Sequence, residues 1–576
     1  MNRFLSLVGG HRKIGWPDLV VMILLIGVLY AVIDLGKGMV SPLSFAVHPR
    51  IHLSIAYLPY YAGRSLLRMF IAYFLSLAFS LLYGRIAAYN KFAGKIMIPA
   101  LDILQSVPVL GFLSVTVTFF LNLFPGSELG AECASIFAIF TAQAWNMTFS
   151  FYQSLITIPN DLREAAYINR LKPYARFRVL EVPYSMIGLI WNSMMSFGGS
   201  WFFLAASESI SVLHERIQLP GIGSYMATAM EKGNVNALIA GIITMIIVIV
   251  AVDQFVWRPL VAWAEKFKLD MNESDDAMTS WFLQLLRRST WLQSLGEWLS
   301  PFLYRMSQAI SFNRKTRKNM PERTTPRRWP RWILILLGII LLLFGIRYAF
   351  AAVLEIATLG IWQILDVIKL GFYTFLRVMF STLLGALWTI PVGVAIGTNN
   401  RLSRIAQPFV QIAASFPSNA IFPLVTLLYL MGHINFQIGA IPLMMLGTQW
   451  YILFSVIAGA MAIPSSLKEA SSILRLRRIE RWKTMILPAI FPFLVTGGIT
   501  ASGGAWNASI VAEIVTWRSH TLTASGIGSY ITNATNNGNW AQILWGIIVM
   551  STFVVIINHF FWRKLQNLAQ TKYHLD

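Results

Sequence analysis

Long apolar stretches separated by short polar segments are the dominant pattern along the chain. A bilayer core of about 30 Å needs roughly 20 apolar residues of helix, because lipid offers no partner to free backbone groups. Twelve stretches meet that length and predict membrane-spanning helices. Six lie in the first half, at about 17–36, 65–88, 96–123, 132–156, 183–206 and 236–257. Six lie in the second half, at about 332–354, 370–397, 405–431, 436–461, 488–511 and 540–562.

Composition agrees with a membrane protein. Of the 576 residues, 56% are hydrophobic and 12% are charged, against about 45–50% and 25% in soluble domains, which excludes disordered, fibrous and ordinary soluble chains. The formal net charge is +21. The Lys and Arg residues lie between apolar stretches and orient the spans, so no nucleic-acid partner is predicted. The single cysteine, Cys133, excludes an intramolecular disulfide and a cysteine-built metal site.

Basic residues set the predicted orientation. Arg3, Arg12 and Lys13 precede the first span and place the N-terminus in the cytoplasm. No small-residue cleavage site follows that span, which therefore reads as an uncleaved anchor. The loop between the third and fourth spans then lies outside, and it carries Glu128 and Glu132 without Lys or Arg. The residues that depart from the rule are Lys37, Arg50 and Arg64, which fall on the outer side.

The chain carries an internal repeat. The run Gly-Ile-Gly-Ser-Tyr at 221–225 recurs 305 residues later, at 526–530. The same offset relates Trp145 to Trp450, Glu164 to Glu469, Pro183 to Pro488, Trp201 to Trp506 and Glu208 to Glu513. Upstream the offset is 309, which relates Arg68 to Arg377 and Pro108 to Pro417. Chance does not hold one register over so many Trp, Gly and Pro positions, so the chain is a tandem duplication.

The repeat predicts the fold class and the domain boundaries. We expect an all-α integral membrane protein with 12 transmembrane helices, built from two tandem six-helix domains at 1–264 and 332–576. Because six is an even number, both domains enter the membrane in one orientation, and a pathway is expected at their interface. The stretch 265–331 predicts a cytoplasmic linker. Its 281–310 segment interleaves Trp and Leu with Arg and Gln, which predicts an interfacial amphipathic helix, and a spacer role is favoured over a regulatory one.

The loop between the fourth and fifth spans is the longest cytoplasmic loop within each half. Each copy begins with a proline, Pro159 or Pro464, followed by Asn or Ser, which starts a short helix. Glu164 and Glu469 lie near the first turn, where a negative charge is stabilised. A short helix flanked by Arg and Lys can neither enter lipid nor form its own core. We therefore expect these loops to bind a protein partner.

At these loops the sequence resembles the coupling loop of ABC importer permeases. The resemblance rests on Glu-Ala-Ala or Glu-Ala-Ser, an aromatic residue thirteen positions after the Glu and a proline nineteen after it. The residues that it assigns to ATPase coupling are Pro159, Glu164, Ala165, Ala166, Phe177 and Pro183, and in the second half Pro464, Glu469, Ala470, Ser471, Trp482 and Pro488. The segments 199–201, 206–208 and 221–223, with their second-half copies, look like the nitrate/sulfonate/bicarbonate-type branch. Both six-span units resemble the duplicated, fused permease of ABC-type anion transporters.

The resemblance implies partners and a location. It implies two ABC-importer-type permease domains in the bacterial inner (plasma) membrane, with both termini in the cytoplasm. In that family the coupling loop inserts into a cytoplasmic ATPase, and a periplasmic or lipid-anchored solute-binding protein generally delivers the solute. This chain has no Gly-x-x-x-x-Gly-Lys-Ser/Thr segment, so ATP and Mg are expected on separate ATPase subunits, as a dimer. We predict no cofactor, metal site or catalytic residue on this chain.

One position of the coupling loop departs from the family pattern. Six residues after the Glu, where the family usually has Gly, this chain has Arg170 and Arg475. Only glycine adopts positive φ without a steric cost. We therefore expect the turn after the coupling helix to take another shape, while its role is unchanged.

Four ionisable residues lie within the predicted spans, where charge is costly and indicates function. Arg68 and Arg377 lie near the outer ends of the second spans, and Glu208 and Glu513 lie near the outer ends of the fifth. All four fall at one depth. We predict the pairs Arg68–Glu208 and Arg377–Glu513, as outer-gate or packing ion pairs. Snorkelling toward the headgroups is an equally good interpretation.

Polar residues within the spans are candidates for the pathway, because hydroxyls and amides hold a small hydrated anion without trapping it. The candidates of the first half are Gln105, Ser106, Gln143, Asn146, Asn192, Ser200 and Trp201. Those of the second half are Ser415, Asn419, Gln449, Trp506 and Asn507. For any single polar residue an interhelical hydrogen bond is the commoner role, and for the two tryptophans packing is the safer interpretation.

The sequence thus predicts the permease subunit of a binding-protein-dependent ABC importer for a small solute, such as nitrate, a sulfonate or bicarbonate. Two other classes remain open. One is a twelve-span secondary transporter, which would couple to ions through membrane-embedded acids, and the other is a channel or a scaffold for other membrane subunits. Neither class requires paired coupling loops. The sequence does not identify the solute.

Overall fold

A computed structural model describes residues 16–40, 51–106, 108–212, 215–267, 280–289, 343, 347, 350–517 and 520–572. These residues are predominantly helical. Helices of the first half are Trp16–Lys37, Leu58–Tyr89, Lys91–Ser106, Leu113–Leu123, Leu129–Ile156, Asn160–Ile168, Pro173–Arg176, Val182–Glu208, Ile222–Glu231, Val235–Val252, Arg258–Ala264 and Trp281–Arg288. Helices of the second half include Ile361–Thr398, Asn400–Ser415, Phe422–Met431, Phe436–Met461, Ser465–Ile473, Arg478–Arg481, Leu487–Ala512, Ile527–Asn536, Trp540–Ile557 and Arg563–Lys572.

Among the described residues, seven helical segments are long and apolar enough to cross a membrane. They are Asp18–Lys37, Ile55–Tyr89, Val235–Ala264, Ile361–Thr398, Phe436–Met461, Arg478–Ala512 and Trp540–Ala569. Helices Leu129–Ile156 and Val182–Glu208 match two further predicted spans. Most of the predicted span at 332–354 lies outside the described residues. The chain is thus a multi-pass helical membrane protein.

The third predicted span of each half is broken, which corrects the single helices expected at 96–123 and 405–431. The chain ends one helix at Ser106 or Ser415 and starts another at Leu113 or Phe422. Between them Pro108 and Pro417 adopt extended backbone angles, with ψ of 115° and 113°. Proline has no N–H to continue a helix, and it disfavours helical geometry in the residue before it. A prediction from apolar composition alone therefore merges two separate helices into one span.

Among the residues that the structure describes, two short β-hairpins lie between helices. Strands Ser209–Val212 and Glu215–Gln218 pair antiparallel, with Ser209 opposite Gln218. Strands Ile514–Trp517 and His520–Thr523 pair in the same way, with Ile514 opposite Thr523. The second hairpin is rich in β-branched residues, which favour strands.

The structure repeats fine details of the two halves. The π-helix Phe177–Glu181 recurs as Trp482–Ile486, and Asp253–Trp257 recurs as Asn558–Trp562. π-Helices are rare in proteins, and those that occur are frequently at functional sites. Their recurrence at a constant offset therefore supports the duplication independently of residue identity.

The described contacts divide the chain into two compact units. One contains Met1–Asp34, Ser154–Ile190 and Ala251–Leu354, and the other contains Leu35–Gln153, Trp191–Val250 and Glu355–Asp576. Of the amphipathic helix predicted within 281–310, the structure describes Trp281–Arg288, with Phe282 buried and Trp281 exposed. The remainder of that segment and the basic end of the linker lie outside the described residues. The boundaries 1–264, 265–331 and 332–576 stay a prediction.

The second unit has a core to which both sequence repeats contribute. Val109, Leu110 and Val117 from the first repeat belong to one hydrophobic cluster with Trp506 and Ile510 from the second. Burial of such side chains stabilises by about 25 cal/mol per Å², so the two repeats are packed together within this unit.

Candidate functional site

Four buried charges form a network in the first repeat. Arg68 donates from Nη1 to Glu208 Oε1 at 2.7 Å and from Nε and Nη2 to the two carboxylate oxygens of Glu132 at 2.5 and 2.7 Å. Arg64 donates from Nη2 to Glu132 Oε1 at 2.5 Å. All four side chains are at most 1% exposed. The network holds two positive and two negative charges, so it is electrically neutral.

A smaller network occupies the matching place in the second repeat. Arg377 donates from Nη1 to Glu513 Oε1 at 2.9 Å and from Nη2 to Gln437 Oε1 at 2.5 Å. Its Nε and Nη1 also donate to the backbone carbonyl oxygens of Gln437 and Ser525, both at 3.0 Å. Both predicted ion pairs, Arg68–Glu208 and Arg377–Glu513, are therefore present as buried contacts. Such burial excludes snorkelling to the headgroups for these arginines.

The two networks differ at two positions, and the charge changes at these positions cancel. At the repeat offsets, Glu132 corresponds to Gln437 and Arg64 corresponds to Tyr373. The first repeat therefore has one more carboxylate and one more guanidinium than the second, and each network keeps a net charge of zero. An unpaired buried charge costs several kcal/mol, which explains why the two replacements occur together.

The repeated Gly-Ile-Gly run binds the carboxylate of the buried glutamate. Gly223 N donates to Glu208 Oε2 at 2.6 Å, and Gly528 N donates to Glu513 Oε2 at 2.8 Å. A Cβ atom at Gly221 would overlap the carboxylate of Glu208. The carboxylate thus lies at the N-terminus of helix Ile222–Glu231, where backbone N–H groups stabilise an anion. Glycine is required here because of the close approach.

A hydroxyl completes each carboxylate site. Ser65 Oγ donates to Glu208 Oε1 at 2.5 Å and accepts from Ile222 N at 3.0 Å. Thr374 Oγ1 donates to Glu513 Oε1 at 2.7 Å and accepts from Ile527 N at 2.9 Å. Each hydroxyl therefore links the second span, the glutamate and the helix that follows the hairpin.

Several members of these networks were missed by sequence reasoning. The prediction that Arg64 and Glu132 are charges of outer loops is wrong, because both are buried ion-pair partners. The error arose because they lie at the ends of predicted spans, where loop and helix cannot be separated by apolarity. A signal was present in the sequence, since Ser65 and Thr374 are hydroxyl residues that match at the repeat offset of 309.

The predicted coupling loop of the first half contains the expected short helix, Asn160–Ile168, which follows Pro159. Glu164 is exposed in its second turn, and Ala166 faces inward. Arg163 donates from Nη2 to the carbonyl oxygens of Leu155 and Ile156 at 2.9 and 3.1 Å. These carbonyls end the preceding helix, so Arg163 caps it and fixes the start of the loop. The other predicted coupling residues, Ala165, Phe177 and Pro183, lie in the same loop or at the start of the next long helix.

The second half repeats this arrangement. Helix Ser465–Ile473 follows Pro464 and carries Glu469 and Ala470, both exposed. Ser471 is buried and donates to Lys468 O at 2.8 Å, while Trp482 begins the π-helix and Pro488 lies at the start of helix Leu487–Ala512. That helix has 26 residues, about 39 Å at 1.5 Å per residue, which exceeds the bilayer core. The predicted coupling loop before it and Glu513 after it therefore lie at opposite ends of a helix long enough to cross a membrane.

Each short helix ends in an exposed apolar side chain. Ile168 is 80% exposed and Ile473 is 79% exposed. Tyr167 and Leu474, next to them, are also exposed. Large apolar groups beside Arg and Lys, on a loop rather than a lipid-facing helix, are typical of a protein-binding surface.

The turn after each short helix corrects an expectation. Arg170 and Arg475 both adopt a φ of 49°, so the left-handed turn is kept although glycine is absent. Leu171 N donates to Ala166 O at 3.0 Å, and Leu476 N donates to Ser471 O at 3.2 Å. These bonds close the helix end in the usual left-handed manner. The chain therefore accepts the steric cost of a non-glycine residue, about 1 kcal/mol, in both repeats.

The predicted pathway residues do not form one set. The structure buries Gln143, Ser200, Trp201, Gln449 and Trp506, leaves Asn146 exposed, and half-buries Gln105, Asn192, Ser415, Asn419 and Asn507, while the side chain of Ser106 lies outside the described part. Trp201 packs against Phe197, with ring centroids 6.1 Å apart, and Trp506 belongs to the core cluster. For both tryptophans the structure favours packing over a constriction. Gln449 accepts from Trp388 Nε1 at 2.9 Å, which is an interhelical bond.

A cavity lies where both repeats meet in the second unit. It has a volume of about 40 Å³ and is lined by Gly198, Gly199, Phe202, Phe203, Ala414, Ser415, Phe416, Pro417, Ser418, Gly447, Tyr451, Gly504, Asn507 and Ala508. Two of the predicted pathway residues, Ser415 and Asn507, line it. The broken third span of the second half supplies its Pro417 corner, so the helix break directly shapes this cavity.

Comparison with known proteins assigns the family. The chain matches the family described as binding-protein-dependent transport system inner membrane component twice, over residues 76–256 and 389–569. These two matches cover more than half of the chain and reproduce the duplication. The chain belongs to this family, and its two halves are tandem copies of the family's domain.

Individual relatives are permeases of several importers. The chain is 26% identical to the nitrate import permease protein NrtB of Leptolyngbya laminosa, over 32% of this chain and 62% of that protein. It is 26% identical to the bicarbonate transport system permease protein CmpB of Synechococcus elongatus, over 32% and 63%. It is 23% identical to the taurine transport system permease protein TauC of Escherichia coli, over 31% and 62%. The alignments thus span somewhat less than two thirds of these relatives.

Proposed function

We propose that this chain is the fused permease subunit of a binding-protein-dependent ABC importer. It conducts a small solute, an anion such as nitrate, bicarbonate or a sulfonate, across the bacterial inner membrane. Its partners are a pair of cytoplasmic ATPase subunits, which bind ATP and Mg, and a periplasmic or lipid-anchored solute-binding protein. Both termini lie in the cytoplasm.

One observation supports the proposal above the others. Two short helices, Asn160–Ile168 and Ser465–Ile473, each expose an isoleucine and a glutamate in a loop between membrane crossings. Exposed apolar side chains on a charged loop are typical of a surface that binds a protein partner. Two such surfaces suit two ATPase subunits, because each subunit takes one copy.

The buried networks provide the rigid connection that such a transporter needs. Glu513 at one end of helix Leu487–Ala512 is bonded to Arg377, Thr374 and Gly528. The coupling helix Ser465–Ile473 precedes the other end of the same helix. A movement of the coupling helix is therefore transmitted along a stiff helix to the outer network, which acts as part of the outer gate during alternation between outward- and inward-facing states.

The test is co-purification followed by coupling measurements. The full chain, extracted from its native membrane with a mild detergent, is expected to bring an ATPase with it. In proteoliposomes, the double variant Glu164→Gln/Glu469→Gln should hydrolyse ATP with strongly reduced solute uptake per ATP. Asp161→Asn, on the same short helix, is the matched control and should keep the wild-type ratio.

The alternatives give different results in this experiment. A secondary transporter would move solute with an ion gradient and without ATP, and a channel would equilibrate solute with neither. Either result, or the absence of an ATPase from the purified complex, contradicts the proposal.

A further inference from the structure

The two loops that the proposed function assigns to ATPase coupling, 157–184 and 462–489, present matching surfaces. Their exposed apolar residues are alike, since Ile168 is 80% exposed and Ile473 is 79% exposed. The arginine in the turn after each short helix has the same φ of 49°. The docking surface is therefore repeated in both halves, and a difference between the loops must lie in the contacts behind that surface.

Side chains tie the first loop to the long helices on either side of it. Arg163 donates from Nη2 to the carbonyl oxygens of Leu155 and Ile156 at 2.9 and 3.1 Å. Tyr184, in the long helix that follows the loop, donates from its hydroxyl to Thr157 O at 3.0 Å. The start of the loop is thus held by the helix before it and by the helix after it.

An ion pair ties the short helix of the first loop to the next long helix. Arg176 donates from Nε to Glu181 Oε1 at 2.9 Å, and the Glu181 side chain is fully buried. Arg176 also donates from Nη1 to the Tyr167 hydroxyl at 3.3 Å, with its Cζ 5.9 Å from the centre of the Tyr167 ring. Such a position over an aromatic face is attractive for a guanidinium. Tyr167 belongs to helix Asn160–Ile168 and Glu181 directly precedes helix Val182–Glu208, so Arg176 links the two helices.

The second loop does not have these contacts. Among the residues that the structure describes, side-chain hydrogen bonds within 462–489 reach at most four residues along the chain. Arg481 matches Arg176, but it faces an isoleucine at the position of the acid. Lysine also lacks the planar fork with which arginine donates in fixed directions. The residues that match Arg163, Tyr167, Glu181 and Tyr184 at the offset of 305 are Lys468, Ser472, Ile486 and Ala489.

This difference in support changes the expected affinity of the two surfaces. A loop that is already held in its bound conformation loses little conformational entropy when a partner binds. Ordering a single side chain at an interface weakens binding by about two- to tenfold. The first loop has several groups fixed in advance by Arg163, Arg176 and Tyr184, whereas the second loop must be ordered by its partner.

We infer that the two coupling loops are unequal docking sites for the ATPase subunits. The first loop is the preorganised, high-affinity site that anchors one subunit, and the second loop is a weaker site that becomes ordered when the other subunit binds. Glu181 and Tyr184 are positioning residues, because they act on the surface through Arg176 and Thr157. This inference rests on the proposed function, since it specifies how the same partner is held.

Hydrogen exchange in the full chain, reconstituted in lipid nanodiscs without ATPase, tests the difference in order. The amides of helix Asn160–Ile168 should have protection factors about tenfold higher than those of helix Ser465–Ile473. Glu181→Ile, which installs the residue of the second repeat, and Tyr184→Phe, which removes only a hydroxyl, should each lower the protection of the first helix. Tyr174→Phe is the matched control, because the Tyr174 hydroxyl lies in the same loop and makes no hydrogen bond among the described residues. It should leave protection unchanged.

Titration with ATPase measures the two docking sites separately. The ATPase is released from the co-purified complex, labelled, and added to nanodiscs that contain a chain with one surface impaired. Ile473→Asn leaves the first surface intact, and it should bind the ATPase about tenfold more tightly than Ile168→Asn, which leaves the second surface intact. Adding Glu181→Ile or Tyr184→Phe to Ile473→Asn should reduce this advantage. Adding Tyr174→Phe should preserve it.

The inference is overturned if the two short helices have equal protection, or if Ile168→Asn and Ile473→Asn bind the ATPase equally well. It is also overturned if Tyr184→Phe, with a wild-type thermal midpoint, changes neither protection nor affinity, whether or not Glu181→Ile folds. Absence of an ATPase from the purified complex overturns the proposed function instead. Hydrogen exchange then still reports whether the two loops differ in order, so the two failures are distinguishable.

Discussion

The compensated difference between the two buried networks makes a sharp prediction about stability. Glu132→Gln removes one negative charge and leaves Arg64 and Arg68 facing Glu208 alone. All of these side chains are at most 1% exposed, so solvent cannot screen the excess charge. Removing one partner of a buried pair costs about 3–5 kcal/mol. Arg64→Tyr alone should destabilise for the same reason, because it leaves a negative excess.

The double variant Arg64→Tyr/Glu132→Gln installs in the first repeat the residues that the second repeat already has at Tyr373 and Gln437. It restores a net charge of zero, and replacement of a complete buried pair is often nearly neutral. We expect it to be more stable than either single variant, with an interaction free energy of about 2 kcal/mol or more. Equilibrium unfolding in mixed micelles, followed by tryptophan fluorescence, measures all four free energies of unfolding.

The second repeat supplies the mirror-image control. Gln437→Glu adds a carboxylate beside Arg377 and should destabilise, and Tyr373→Arg/Gln437→Glu should recover part of the loss. If the single changes simply add within about 0.5 kcal/mol in the first repeat, charge balance is not the reason for the exchange and the argument is refuted.

Three further predictions concern other positions. Gly221→Ala should abolish stable folding, because its Cβ would overlap the Glu208 carboxylate. Gly503→Ala, whose Cβ would meet no atom within 4 Å, should leave the thermal midpoint unchanged or raise it. Equal losses of folded protein for the two variants in a size-exclusion assay would contradict this. Arg170→Gly should slow hydrogen exchange of the 166–171 amides, because glycine removes the steric strain of a positive φ, about 1 kcal/mol. Arg178→Gly, in a helical segment, should not slow this exchange. Faster exchange in Arg170→Gly would disprove the strain. Ile168→Asn should weaken ATPase capture severalfold without changing the thermal midpoint. Leu19→Asn, at an exposed position on another helix, should capture the ATPase as the wild type does. Unchanged capture by Ile168→Asn would show that the apolar surface is not used.

The duplication and the ion pairs were predictable because they depend on features that a sequence displays directly. Trp, Gly and Pro recur at fixed offsets, and Arg68 and Glu208 fall at one depth of the membrane. The structure adds the reason for the conserved spacing within the chain: Gly221 and Gly223 leave room for the carboxylate that they bind.

Other features could not be predicted because they depend on three-dimensional context. The helix breaks at Pro108 and Pro417 are hidden within continuous apolar sequence, and the positive φ of Arg170 overrides a local preference of the backbone. The cavity is equally hidden, since Ser418 and Gly447 are distant in sequence and meet only after folding. Ser418 was therefore missed, although its neighbour Ser415 was a candidate.

The most direct test of the central claim is the ATP dependence of transport by purified components. Proteoliposomes that contain this chain, its co-purified ATPase and the cognate solute-binding protein should accumulate solute only when ATP is supplied to the face that carries the short helices Asn160–Ile168 and Ser465–Ile473. Liposomes with the chain alone should show no accumulation. Uptake at an undiminished rate by the chain alone, or accumulation driven by ATP on the opposite face, would contradict the claim that these two loops couple the permease to a separate ATPase.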